Sequence, residues 1–163
     1  MEVTTTCQIC ERIIKSNTGV LAHHGYQRPG DGWQTPSCLG ARTLPYEVSR
    51  AALPPAIEFI NNFLVNRSNQ LHDFLANPPE TLTYRTSDWK PSEIAQRPRG
   101  FVYDEKRGSF SMGQRYEMEY HHKVYVMRQS IEQARRDVKR LKERLTTWKQ
   151  VWTEKEFKEL ITQ

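Results

Sequence analysis

Long apolar runs are missing from this chain. No stretch of about 18 apolar residues occurs, so no membrane-spanning helix is expected. Hydrophobic residues make up 37% of the 163, and the mean hydropathy is -0.77. A core that thin calls for a metal, an elongated helical shape or a partner. Cysteine is scarce too, at three residues. An odd number argues against a disulfide framework and suits a mixed Cys/His metal site. The first residues, Met1-Glu2-Val3-Thr4, carry neither the basic nor the apolar stretch of a secretory signal, which predicts a reducing cytoplasm. No Walker loop, G-x-S-x-G elbow or dinucleotide fingerprint is present. Asp73, Asp88, Glu93 and Asp104 show no spacing typical of paired catalytic carboxylates. These absences point away from an enzyme.

The cysteines that are present stand in a telling pattern. Cys7-Gln8-Ile9-Cys10 is a C-x2-C knuckle, whose two intervening residues let both thiolates turn toward one ion. Zinc takes thiolate and imidazole in a tetrahedron. His23 and His24 follow, and Cys38 is the remaining cysteine. A closed Cys3His zinc site is expected from Cys7, Cys10, Cys38 and one histidine of the pair. Gly25 allows a sharp turn just after His24, which favours His24 over His23. The competing reading is three reduced cysteines packed as small hydrophobes. Against it, Cys7 and Cys10 lie among polar residues, in the part of the chain least able to form a core. Four protein ligands leave no position for water, so the site is expected to be structural. A metal-dependent nuclease is a distant third reading. The chain has no second C-x2-C, no Asp before the His pair and no clear later Asn/His set.

The fold class expected is mainly α. A zinc-binding module over 1–45 precedes a helical region over 46–163, an antiparallel hairpin with a long heptad helix. Ile57, Ile60, Phe63, Leu64, Leu71, Phe74 and Leu75 recur at helical spacing. They predict a helix from about Pro55 to Ala76, after a short turn over 46–52, and Asn77-Pro78-Pro79 ends it. Residues 77–113 read as irregular. Thr81–Tyr84 is a candidate strand there, and 101–103 with 109–111 a candidate hairpin. A single helix is expected over 114–150. Its seam is Tyr120, Val124, Met127, Ile131, Ala134, Val138, Leu141, Leu145, Trp148 and, beyond it, Trp152. Such a helix would run roughly 55 Å and needs a facing helix or a second chain, so self-association is expected. Thr153-Glu-Lys-Glu156 is a capping box for a last helix.

Charge is concentrated. The chain carries +5 overall; residues 114–150 hold 10 basic and 5 acidic side chains, which alone give +5. Arg128, Arg135, Lys142 and Lys149 are seven apart, and Arg136, Lys139, Arg140 and Arg144 add to them. They form a candidate phosphate-tracking ridge, and Arg28 in the metal loop is a separate candidate contact to nucleic acid. The alternative is a solvated face whose stems shield the seam. Trp33 and Tyr26, beside Arg28, are able to stack on bases, to anchor a partner, or to serve as the module's own core. His121-His122 point about 100° apart on a helix and read as surface.

Cys7-x2-Cys10, His23-His24-Gly25-Tyr26-Gln27-Arg28-Pro29-Gly30-Asp31-Gly32, Cys38-Leu39-Gly40 and Pro45-Tyr46-Glu47 resemble a family of small zinc-finger-like proteins of bacteriophages and bacterial mobile elements. The resemblance covers about residues 5–50. It implies the metal site and a phage or bacterial source, and no particular activity. Two function classes follow from the residues. One is a zinc-binding accessory or regulatory protein that binds nucleic acid; the other is an adaptor that grips a host or phage protein.

Overall fold

The computed structural model describes residues 4–16, 18–27, 36–86, 91–111 and 113–162. It is mainly helical. Strands β1 (Thr4–Thr6) and β2 (Ile13–Lys15) precede helix α1 (Leu53–Ala76). Strands β3 (Thr81–Tyr84) and β4 (Glu93–Gln96) follow, then α2 (Arg115–Thr147) and α3 (Glu154–Ile161). No described helix is long and apolar enough to cross a membrane. The chain divides into two compact units: Met1–Asn61 with Asp137–Gln163, and Asn62–Arg136. The division falls inside α1 and α2. Arg28, Trp33 and Asp88 lie outside the described residues.

In the first unit, β1 and β2 pair antiparallel, with Thr5 opposite Ile14. Helix α1 opens with Pro54-Pro55 in its first turn, where amide donors have no helical partner and proline removes nothing. Cys7, Ile9, Leu21, Leu53, Ala56, Ile57 and Leu141 form the core, with Val138 and Leu145 half-buried against it. The buried Gln8 amide ties two segments: it donates to the Leu44 carbonyl at 2.6 Å and accepts from the Ala52 N–H at 3.0 Å. The Glu47 carboxylate accepts from the Thr6 N–H at 3.0 and 3.1 Å.

Helix α2 stops at Thr147, three residues short of the expected end, so Trp148 and Trp152 leave the seam. The reason lies in bonds to the distant 46–47 segment. The Trp148 indole N–H donates to the Tyr46 carbonyl at 2.6 Å, and the N–H groups of Val151 and Trp152 both reach the Glu47 carbonyl, at 2.8 and 3.2 Å. These bonds draw the chain off the helical path. Trp152 stacks on Phe157 of α3 with ring centroids 6.0 Å apart. The expected capping box of Thr153 and Glu156 is formed in both directions.

In the second unit, β3 pairs antiparallel with β4, Leu82 opposite Ala95. The β3 strand lies where expected. Its partner β4 was not foreseen, because Glu-Ile-Ala-Gln carries little strand propensity. The hairpin expected from 101–103 and 109–111 is absent. Instead, Phe101 sets its ring edge-on against Tyr116 and Tyr120, at 5.1 and 5.0 Å. Leu82, Ala95, Tyr116, Tyr120 and Val124 form the core. Tyr120 is fully buried, stacks on Phe74 at 4.5 Å and donates its hydroxyl to the Phe74 carbonyl at 2.6 Å.

Tyr120 therefore supplies both ring packing and a hydrogen bond. Tyr120→Phe is expected to cost about 1 kcal/mol, for the hydroxyl alone, and Tyr120→Ala roughly 3–5 kcal/mol. Urea unfolding followed by circular dichroism measures both.

Candidate metal centre

The C-x2-C knuckle caps the β1–β2 hairpin. Cys7 N–H donates to the Arg12 carbonyl at 2.9 Å, and Glu11, in the left-handed region at φ 63°, closes the turn. The segment holding Cys38 folds back along the one holding His24. Cys38 N–H donates to the His24 carbonyl at 2.8 Å, and Gly25 between them has φ 74°. Cys38-Leu39-Gly40-Ala41 makes a second tight turn, with the Ala41 N–H on the Cys38 carbonyl at 2.9 Å. Gly40 is required there: a Cβ at that position would collide with the Cys7 sulfur.

These turns bring together Cys7, Cys10, His24 and Cys38, with all four donor atoms within 4.8 Å of one another. The sulfurs of Cys7 and Cys38 are 3.9 Å apart, far beyond the roughly 2.05 Å of a disulfide. Tetrahedral zinc, with bonds of about 2.3 Å to sulfur and 2.0–2.1 Å to nitrogen, sets donor spacings of about 3.5–3.8 Å. The cluster is close to that size. His24 is buried at 7% exposure, and its Nδ1–H donates to the Ala22 carbonyl at 2.8 Å. That bond selects the tautomer whose bare Nε2 lies at the cluster. Among the described side chains, this Nε2 is one of two buried polar atoms without a hydrogen-bond partner. A buried acceptor left unpaired costs about 1–3 kcal/mol, and a metal ion removes that cost. The donor set fits a metal ion, and its three sulfurs and one imidazole suit zinc.

Backbone amides point at two of the sulfurs. The Ile9 N–H points at the Cys7 sulfur (3.4 Å), and the Gly40 N–H at the Cys38 sulfur (3.5 Å). The Cys7 thiol is lowered to about 4, first because Cys38 donates to it, with burial opposing and the backbone amides of Cys10 and Ile9 assisting. Cys38 is raised, first by giving that hydrogen bond and then by burial. The pair therefore retains one proton that a bound cation would displace.

Two guanidinium groups from the last turns of α2 hold the knuckle from outside. Arg144 donates to the Gln8 carbonyl at 3.1 Å and the Cys7 carbonyl at 3.2 Å, and lies over the Tyr46 ring at 3.9 Å. Arg140 donates to the Ile9 carbonyl at 2.8 Å and pairs with Glu11 at 2.6 Å. The spacing pattern carried no sign of this role, because the partners lie more than 100 residues apart in sequence.

The remaining expected site residues fall elsewhere. His23 is exposed, with Nδ1 2.8 Å from the Ser37 hydroxyl, and is not part of the cluster. Arg128 pairs with Glu105, Arg135 with Glu132, and Arg136 reaches the Gln133 amide oxygen at 2.8 Å. Lys139, Lys142 and Lys149 are exposed, and Lys149 lies past the end of α2. Comparison of the chain with family models, curated proteins and solved structures finds no match.

The geometry predicts one metal ion per chain. His24→Ala should abolish stoichiometric binding and His23→Ala should leave it intact, as read by metal analysis after gel filtration. Arg144→Ala keeps all four donors but frees the carbonyls of Cys7 and Gln8. Metal affinity should fall about tenfold, as expected for loss of a group that supports the ligands, measured by competition with a chromogenic chelator.

Proposed function

We propose that this is a structural-zinc binding protein of phage or bacterial origin that acts in a reducing cytoplasm and engages nucleic acid through a basic surface. On this reading the metal performs no chemistry on a substrate. Zinc would cross-link a loop-rich N-terminal module onto an antiparallel helical hairpin. Packing of Leu53, Ala56 and Ile57 with Leu141 in the first unit supports the hairpin, as does stacking of Phe74 on Tyr120 in the second. Self-association along the remaining apolar positions belongs to the same reading.

One observation carries the nucleic-acid assignment. Lys139, Lys142 and Lys149 belong to the same unit as the metal cluster, are exposed, and have no carboxylate partner among the described residues. The ridge is narrower than the charge pattern suggests, since Arg140 and Arg144 are turned inward and Arg128 and Arg135 are held by acids. Lysines free of internal partners are the groups whose neutralisation by phosphate releases counterions and makes binding salt-dependent.

A protein-interaction adaptor is the second reading. Two apolar side chains of the metal module favour it: Ile13 of β2 is 73% exposed, and Leu39, between Cys38 and Gly40, is 47% exposed. Such residues would grip a protein surface and contribute nothing to phosphate binding.

A salt titration with the zinc-loaded protein and a labelled DNA duplex separates the two. The nucleic-acid reading predicts affinity that falls steeply with salt. Joint charge reversal at Lys139, Lys142 and Lys149 should weaken binding at least tenfold. Absence of binding at low salt, with the metal fully loaded, would transfer the assignment to the adaptor.

A further inference from the structure

A cavity of about 330 Å3 lies in the second unit, lined by the 103–110 segment and by α2 between Met118 and Arg128. That volume is within the range of small-molecule sites, roughly 300–1,000 Å3, at its lower end. The segment over 101–111 has no strand or helix, and long irregular connections in compact domains are commonly functional.

The lining is aromatic and basic together. The His121 ring makes tilted contacts with those of Tyr103 and Phe110, with centroids 4.7 and 4.8 Å away. Arg107 places its guanidinium over the Phe110 ring at 5.2 Å. Tyr125 also lines the cavity and is 60% exposed, so an aromatic face there is left to solvent. Arg107 and Arg128 contribute two positive charges and Glu105 one negative, a balance of +1 with His121 and His122 neutral. Burial first, and Arg107 second, lower the His121 pKa, so this ring offers a neutral stacking face at neutral pH. Glu105 is paired with Arg128, whereas Arg107 has no carboxylate partner among the described residues.

We propose that this cavity binds a planar aromatic base carrying a phosphate. The base would stack among Tyr103, Phe110 and Tyr125, and the phosphate would meet Arg107, with Arg128 held in reserve by Glu105. Stacked rings alone would take any flat apolar molecule, and guanidinium groups alone any anion. Their combination in one space of this size selects a ligand having both features. The source is either a free mononucleotide or one residue of a single strand. This inference does not rest on the lysine surface of the first unit, and the two fail separately.

Calorimetry on the zinc-loaded full chain tests it, with 5′-adenylate as the probe and adenosine and ribose 5-phosphate as half-ligands. Adenylate should bind at least tenfold more tightly than either half. Phe110→Ala should weaken it about tenfold, within the range for loss of one stacking partner. Glu105→Gln releases Arg128 and should tighten adenylate severalfold while leaving adenosine unchanged. That variant removes no packing, so it remains informative if Phe110→Ala disturbs the loop. A short single-stranded oligodeoxyadenylate that competes with adenylate would assign the site to a strand; failure to compete would assign it to the free nucleotide. No adenylate binding at millimolar concentration overturns the proposal, as does binding unaffected by either substitution.

Discussion

The close approach of three sulfurs and one imidazole is the constraint on which the first unit depends. Residues 4–52 supply little apolar surface, and much of what they bury is polar: Thr5, Gln8, Ser16 and His24. Order in such a segment must come from cross-links. Each donor arrives on a tight turn, and the tightness has visible consequences, such as Glu11 and Arg42 in the left-handed region and Gly40 against the Cys7 sulfur. Those conformations are unfavourable for isolated residues. They would become tolerable where a bound metal holds the donors carried on the same turns.

Around that centre the chain uses its cations in two ways. Arg140 and Arg144 belong by sequence to a long basic stretch, yet their guanidinium groups satisfy the carbonyls of Cys7, Gln8 and Ile9 and the carboxylate of Glu11. A knuckle that aims its N–H groups at sulfur leaves its carbonyls facing outward. Arginine, with several donors in a rigid fork, suits that task better than lysine. Lys139, Lys142 and Lys149 of the same stretch remain exposed. Around the metal cluster, the arginine–lysine distinction thus separates Arg140 and Arg144, which have structural partners, from lysines available to a ligand.

Much of the candidate site was legible in the residues. The donor set followed from one C-x2-C, the remaining cysteine and a histidine next to glycine, because metal chemistry restricts both residue type and spacing. The buried seam positions Tyr120, Val124, Ile131, Ala134 and Leu141 followed from periodicity, and the start of α3 from its capping box. Other features depended on partners distant in the chain. The end of α2 is decided by the carbonyls of Tyr46 and Glu47, about a hundred residues earlier, against a heptad pattern that continues through Trp148. The β4 strand exists because β3 offers it a ladder, not because of its own composition. The inward roles of Arg140 and Arg144 leave no local trace at all.

X-ray absorption at the zinc edge on the purified protein reads the proposed closed Cys3His site without intermediary. A closed site gives a first shell of three sulfurs at about 2.3 Å and one nitrogen at about 2.0 Å, with no oxygen. A shell containing two sulfurs and two light atoms would mean that one cysteine is detached and the site is open to water. That result would contradict the structural assignment and return catalysis at the metal to consideration.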